Sequence, residues 1–345
     1  MVCQVWDRPA VYAIPVPLPD NPLKNLNVYL IRTETRDLVI DTGFQRPECR
    51  QALWQGLDEL GLRADRAMLF LTHLHTDHTG LVWDFVERGI PVYMSRVEDL
   101  YYRQLIARPF SAMDTLFARE GFPPDELRRQ RESNQGQRYA PRPGFPVLQV
   151  EDGEALPMDL EVRGLLTPGH TPGHMVLYLP KEQLLFSGDH VLFDITPNIS
   201  VWYEVPHSLS DYIDSLRKTR ALPIRRAFPA HRAAGSDVYE RIDALIDHHG
   251  WRLDEIYQAV RTHPGASAFQ IASAIHWSVR SMDWDHFPPH QKWFALSETL
   301  AHLYYLTEKG QLRHWEEDGV TRYAPAHEPP FVSVSSGESN PFMGK

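Results

Sequence analysis

Seven side chains of metal-binding type fall into four short segments of this 345-residue chain. The first is the block His73-Leu74-His75-Thr76-Asp77-His78. The others are His170 in TPGHTPGH, Asp189 in SGDH and His231 in PAH. The chain carries 17 histidines, about one residue in twenty, and histidine is the commonest metal ligand. A lone His-x-His means little. A block of this density, followed in order by His170, Asp189 and His231, is a pattern. His73 and His75 project from one tight loop and can grip a single cation, while Asp77 and His78 lie further round and can grip a second. His170 would complete the first set, His231 the second, and Asp189 could bridge them. A borderline metal such as zinc favours imidazole with carboxylate. Two cations about 3.5–4 Å apart can activate a bridging water and polarise the bond it attacks. Ligating histidines need hydrogen-bond partners behind them, and Asp41 is the first candidate for that role.

Each segment follows a short apolar run that reads as a buried strand: Met68–Leu71, Val162–Leu166, Leu184–Phe186 and Ala227–Phe228. Neighbouring strands of a sheet would bring these ends together. Further strands are expected at Leu26–Ile31, Leu38–Ile40, Ile90–Met94, Pro146–Val150 and Val176–Leu179. Helices are expected over Glu48–Leu62, from Leu81 to Val86, and from a cap at Ser210 to Arg220. Leu71, Thr72, His75 and Thr76 recur as Leu166, Thr167, His170 and Thr171, at an offset of 95, as a sheet duplicated from two halves would show. Residues 95–146 form a proline-broken helical insert with nine arginines against seven acids between Arg96 and Arg142. Loops beside a rigid site commonly set substrate choice.

The length predicts about two domains. The division expected is 1–250, a catalytic region; 251–324, a smaller module; and 325–345, an extended tail. The module reads as helices Arg252–Thr262, Ala268–His276 and Pro289–Glu308, then a hairpin turning at Asp318-Gly319. Three helices and a hairpin make a winged-helix-like pattern. Its seven basic and nine acidic residues do not suit a DNA-reading wing. The net charge of −10 disfavours nucleic acid. No apolar run reaches the length of a membrane span, and the N-terminus lacks a secretory pattern. Cys3 and Cys49 cannot build a disulfide framework, so a cytoplasmic location is expected.

The motifs HLHTDHTG, TPGHTPGH, SGDH and PAH resemble those of the metallo-β-lactamase-fold hydrolase superfamily, with Asp41 in the place of its leading Asp-Thr-Gly motif. The resemblance spans about residues 10–250, and the region after Trp251 resembles the module carried by one subgroup. It implies an α+β fold, a four-layer αββα sandwich with a dinuclear site at one edge. Two zinc ions are implied as cofactors, with iron or manganese as alternatives, held by His73, His75, Asp77, His78, His170, Asp189 and His231. By analogy the first histidine of TPGHTPGH is the ligand, which leaves His174, with His190 and Asp41, in supporting positions.

The expected function is hydrolysis of an ester or thioester by a hydroxide held between two metals, in the manner of glyoxalase II-like and acyl-thioesterase-like members. Asp77 is both ligand and the residue placed to orient the hydroxide or accept its proton. Alternatives are a phosphodiesterase or single-strand endoribonuclease, a lactonase or promiscuous β-lactamase, and a non-catalytic binding protein retaining the fold. β-Lactamases of this fold generally carry Cys where this chain has Asp189. Lactonases carry Tyr where it has Leu192. The partner is a small-molecule substrate, and a homodimer stays open. Trp202 and Tyr203, close after Asp189, are candidate substrate contacts. Arg128 and Arg129, with Arg131, are candidates for an anionic substrate tail.

Overall fold

The computed structural model describes residues 1–107, 111–134, 138–277 and 283–326. All but the first two residues of the expected tail lie outside them. Seven strands build the first sheet in chain order: β1 (Cys3–Trp6), β2 (Ala10–Pro17), β3 (Asn25–Arg32), β4 (Asp37–Ile40), β5 (Ala67–Leu71), β6 (Val92–Ser95) and β7 (Leu148–Val150). The first four pair antiparallel and the last four parallel. A parallel neighbour requires a crossover, and helices supply each one. They are α1 (Pro47–Glu59), then α2 (Thr76–Thr79) with α3 (Val82–Val86), then the insert helices α4 (Arg96–Ala107), α5 (Ser111–Arg119) and α6 (Pro124–Ser133).

The second sheet has the order β11-β10-β9-β8, from β8 (Arg163–Leu166), β9 (Met175–Leu179), β10 (Leu184–Gly188) and β11 (Arg226–Pro229). Helix α7 (Ser208–Arg220) joins the parallel pair β10 and β11. It starts two residues before the expected cap. Ser210 lies inside it, and its hydroxyl donates to Glu308 instead.

Alternation along the strands decides the layers. Leu26, Val28, Leu30, Val39, Leu69 and Leu71 face an outer core against α1 and α3. Their neighbours Tyr29, Ile31, Leu38, Ile40, Met68 and Phe70 face Met175, Leu177, Leu179, Leu184 and Phe186 of the second sheet. Val176, Tyr178 and Leu185 turn the other way, under α7. This two-residue period produces helix, sheet, sheet, helix. Each fully buried aliphatic side chain contributes about 1.5–3 kcal/mol.

The helix expected over Arg252–Thr262 begins much earlier. It is α8 (Val238–Thr262), capped by Asp237, which accepts from the N–H groups of Tyr239 and Glu240. Position 250 lies inside it. An interior glycine costs a helix only about 1 kcal/mol, so Gly250 does not break the frame. Helices α9 (Ala268–Ala274) and α10 (Pro289–Glu308) and the hairpin β12 (Leu312–Glu317) and β13 (Val320–Pro325) follow. Asp318 and Gly319 both take positive φ, 53° and 75°, as a two-residue primed turn requires.

Phe117, Phe122 and Leu127 of the insert bury themselves in the core that these elements form with Ile256, Ile271, Leu300 and Tyr323. Lys292 of α10 pairs with Glu126 of α6 at 2.7 Å. The insert therefore fills two roles: its first helix reaches the strand ends, and the next two anchor the C-terminal elements.

Candidate metal centre

The ligand-type residues all lie just beyond strand ends. β5 ends at Leu71 and feeds the loop 72–75 and the short helix α2. The segment after β8 carries His170, β10 ends one residue before Asp189, and β11 ends two before His231. His231 also bridges back to Leu26 on β3, which ties the two sheets together at the site. Gly188 has φ +51°, and a Cβ there would lie 2.7 Å from His174 Nε2, so glycine is needed beside Asp189.

Two donor groups result: His73, His75, His170 and Asp189; and Asp77, His78 and His231. Within each, the donor atoms lie within 4.8 Å of one another. His75 Nδ1 is 3.0 Å from both His73 Nε2 and His170 Nε2. Asp189 faces both groups, with Oδ2 3.4 Å from His170 Nε2 and Oδ1 3.4 Å from His231 Nε2. Asp77 Oδ2 is 3.4 Å from His231 Nε2 and 3.8 Å from His78 Nε2. Tetrahedral ligands at about 2.0 Å from zinc stand roughly 3.3 Å apart, a spacing that these donors bracket. His78 Nε2, His231 Nε2 and Asp189 Oδ1 are buried with no hydrogen-bond partner. Each such atom costs about 1–3 kcal/mol, and cations would satisfy all three. The donor set fits divalent metal.

The outer nitrogens are held. His78 Nδ1 donates to Asp41 Oδ2 at 2.8 Å. His170 Nδ1 donates to the Asn198 carbonyl at 3.0 Å and His231 Nδ1 to the Asn25 carbonyl at 2.9 Å. These bonds turn the Nε2 atoms inward. Asp41 is itself fixed by the Thr72 N–H at 2.9 Å.

Charge separates the groups. Burial, together with neighbouring imidazoles, holds His73 well below its ordinary pKa and His75 down to about 3. Both are neutral donors. Burial would depress His78 as well, but Asp41, Asp77 and Asp189 outweigh it and hold His78 up to about 10. Asp77 falls to about 2, since His78 and His231 outweigh the burial that opposes ionisation. The carboxylates thus stand ready for cations.

The remaining candidates scatter. His174 lies behind the first group, 2.9 Å from Thr167 Oγ1, and its Nε2 accepts the Asp189 N–H at 3.2 Å. His190 turns toward α7, with Nε2 2.9 Å from Thr219 Oγ1. Trp202 lies over His75, ring centroids 5.6 Å apart, and its indole N–H donates to the His170 carbonyl at 3.0 Å. The Tyr203 carbonyl accepts from Tyr101 of α4 at 3.2 Å. Arg128 pairs with Asp125 on its own exposed helix face, where Arg129 also lies, and Arg131 pairs with Asp114. No contact described for Arg128 or Arg131 joins them to the donor groups; α6 turns its apolar side to the C-terminal core.

Glu98 was not foreseen. Ser95-x-x-Glu98 at the start of a helix spells a capping box, and Ser95 Oγ does accept the Glu98 N–H at 3.0 Å. The Glu98 carboxylate, however, accepts from the N–H groups of Leu74 and Gly173, each at 2.7 Å. One buried side chain thereby clamps both ligand loops. A Cβ at Gly173 would come within 2.2 Å of the Glu98 nitrogen, so glycine permits the approach. Glu98→Ala is expected to strand two buried N–H groups and weaken divalent-metal retention about 10–100-fold, as measured by competition with a chelator. Retention equal to wild type would show that the clamp is dispensable.

Residues 22–231 match the family described as the Metallo-beta-lactamase superfamily, and residues 253–326 match the Metallo-beta-lactamase-like, C-terminal domain. A metallo-beta-lactamase family protein from Thermus thermophilus is 31% identical, with TM-score 0.76 over 91% of this chain and 98% of that one. A beta-lactamase domain protein from Burkholderia ambifaria is 29% identical, with TM-score 0.79 over 94% of each. Among curated proteins, a "Beta-lactamase-like protein 2 homolog" of Caenorhabditis elegans is 26% identical over 75% of this chain and 74% of its own length. An "Atrochrysone carboxyl ACP thioesterase" of Aspergillus fumigatus is 25% identical over 70% of this chain, a match that spans 46% of that longer protein. The two-sheet sandwich, the family match over most of its length and the full-length structural likeness agree: this chain belongs to the metallo-beta-lactamase superfamily.

Proposed function

We propose that this protein is a metal-dependent hydrolase of thioesters or esters. One observation carries the reading: two donor groups meet at a strand-end edge with the oxygens of Asp189 directed one to each. The thioesterase names of relatives such as the Aspergillus fumigatus protein support a thioester substrate. Two divalent cations, zinc by the donor set with iron or manganese as alternatives, would supply activated water and polarise the carbonyl under attack. His73, His75, His170 and Asp189 would hold one, and Asp77, His78 and His231 the other, with Asp189 shared.

The chain's own groups do the rest. Asp77 Oδ orients the attacking water and takes its proton. Asp41, Asn25 and Asn198 keep three imidazoles aligned. Trp202, edge-on to Tyr101 at 5.8 Å, forms an aromatic wall beside His75 for the acyl part of a small-molecule substrate, and the Tyr203 carbonyl holds the Tyr101 hydroxyl. His174 and His190 brace the Asp189 segment. The domain division near residue 250 and a winged-helix-like role in packing for 251–324 belong to the same reading. Among the described residues no helix is long and apolar enough to cross a membrane, and the unpaired Cys3 and Cys49 suit a reducing cytoplasm.

The test is metal content followed by a panel of acyl thioesters, esters, lactones, β-lactams and phosphodiesters. Wild type, chelator-treated protein and His75→Ala are compared. Thioesters are expected to turn over fastest, and only with metal. Equal rates in all three preparations would remove the mechanism, and a phosphodiester or β-lactam preference would replace the substrate class.

A further inference from the structure

The segment that follows Asp189 is held from both sides. Toward the site, the Asn198 carbonyl accepts from His170 Nδ1 at 3.0 Å, and the Trp202 indole donates to the His170 carbonyl at 3.0 Å. Toward the C-terminal elements, the Asn198 side-chain amide donates to Glu298 Oε2 on α10 at 3.1 Å. The Val201 N–H donates to the Ser297 carbonyl at 3.3 Å. Glu298 Oε1 in turn faces Arg252 Nε of α8 at 3.3 Å, and both side chains are about seven-eighths buried. Arg252 is fixed by Glu255 at 2.6 Å and by the His276 carbonyl at 2.8 Å. An unbroken line runs from the C-terminal module to one imidazole of the metal centre.

We propose that Glu298 is a positioning residue for His170, acting through Asn198, so that the C-terminal module forms part of the metal centre. The inference rests on the metal-centre reading above. A carbonyl can orient an imidazole only if the carbonyl is itself held. Asn198 lies on a loop that belongs to neither sheet, and its side chain finds its charged acceptor on a helix 100 residues away. A carboxylate acceptor makes that bond about twice as strong as a neutral pair. Outer partners of this kind set metal affinity by about 10–100-fold.

The experiment uses the full chain, with zinc alone as probe, in competition with a chromophoric chelator; the d–d spectrum of cobalt-loaded protein reports ligand geometry. Glu298→Ala and Asn198→Ala are each expected to weaken one zinc of two by about 10–100-fold and to alter the cobalt spectrum. The double variant is expected to be no weaker than either single one. Glu298→Gln, which keeps an acceptor for the Asn198 amide, is expected to stay near wild type. Glu308→Ala is the control, because Glu308 links the same helix to His207 and Ser210 of the catalytic region without reaching a donor group of the metal centre. It is expected to leave affinity and spectrum unchanged. Should Glu298→Ala not fold, Asn198→Ala decides. Wild-type zinc affinity in Glu298→Ala and Asn198→Ala overturns the inference and leaves the metal centre standing. An equal loss in Glu308→Ala also overturns it, as general loosening of the interface. A wild-type protein that binds no zinc overturns both.

Discussion

Asp189→Ala is expected to bind less than one metal ion per chain and to hydrolyse thioesters on the order of 10⁴-fold more slowly than wild type. The reason is its shared position. Asp189 is the only carboxylate of the first donor group, whose other members are three imidazoles. Two of these, His73 and His75, are neutral because burial and their neighbours suppress protonation. Without Asp189 no negative charge in that group offsets a divalent cation. The second group loses a carboxylate oxygen 3.4 Å from His231 Nε2, so both halves weaken together. Asp189→Asn keeps the shape and removes the charge, and it is expected to fold as wild type and still lose metal. Elemental analysis of dialysed protein beside thioester turnover checks this. Two ions per chain and an unchanged rate would show that the residue does not bridge.

Asp77→Ala is expected to behave differently. Its carboxylate belongs to the second group, 3.4 Å from His231 Nε2, and the first group keeps all four donors. Metal content is expected to fall from two ions to one, with kcat reduced about 10²–10⁴-fold and KM little changed. The rate loss combines a missing ligand with a missing proton acceptor. Asp77 is held down to about 2 by His78 and His231 against its burial, so it is ionised throughout the neutral range. The variant is therefore expected to lose rate evenly from pH 6 to 9, not to shift the profile. Titration with zinc and a pH–rate profile separate the outcomes. Retention of both ions with full activity would remove Asp77 from the mechanism.

The candidate ligand segments were legible because they are local: a dense His/Asp block and three short motifs, each following an apolar run. The layers were implied only by the resemblance of the motifs to a known family; the alternation along β3 to β5 that sorts side chains between two cores shows once the sheets pack. Elements set by long-range partners were not legible. Ser210 looks like a cap in sequence, but its hydroxyl serves Glu308, 98 residues on. Gly250 looks like a boundary, yet α8 runs through it because packing on both halves outweighs one glycine.

Site details divide along the same line. TPGHTPGH offers two histidines in identical local settings, and only the fold sends His170 to Asp189 and His174 to Thr167. Arg128 and Arg129 have the composition of an anion site but sit on a helix whose orientation is set by burying Leu127 against the C-terminal core. Glu98 reads as a helix cap because its local neighbour Ser95 is visible in sequence, whereas its carboxylate partners lie 24 and 75 residues away. The chain order alone carries which residues can bind metal and which strands deliver them, because both follow from spacing within a few residues. Which atoms face which, and that α10 braces His170, depend on packing between distant segments, and that arises only when the sheets, the insert and the C-terminal helices close on one another.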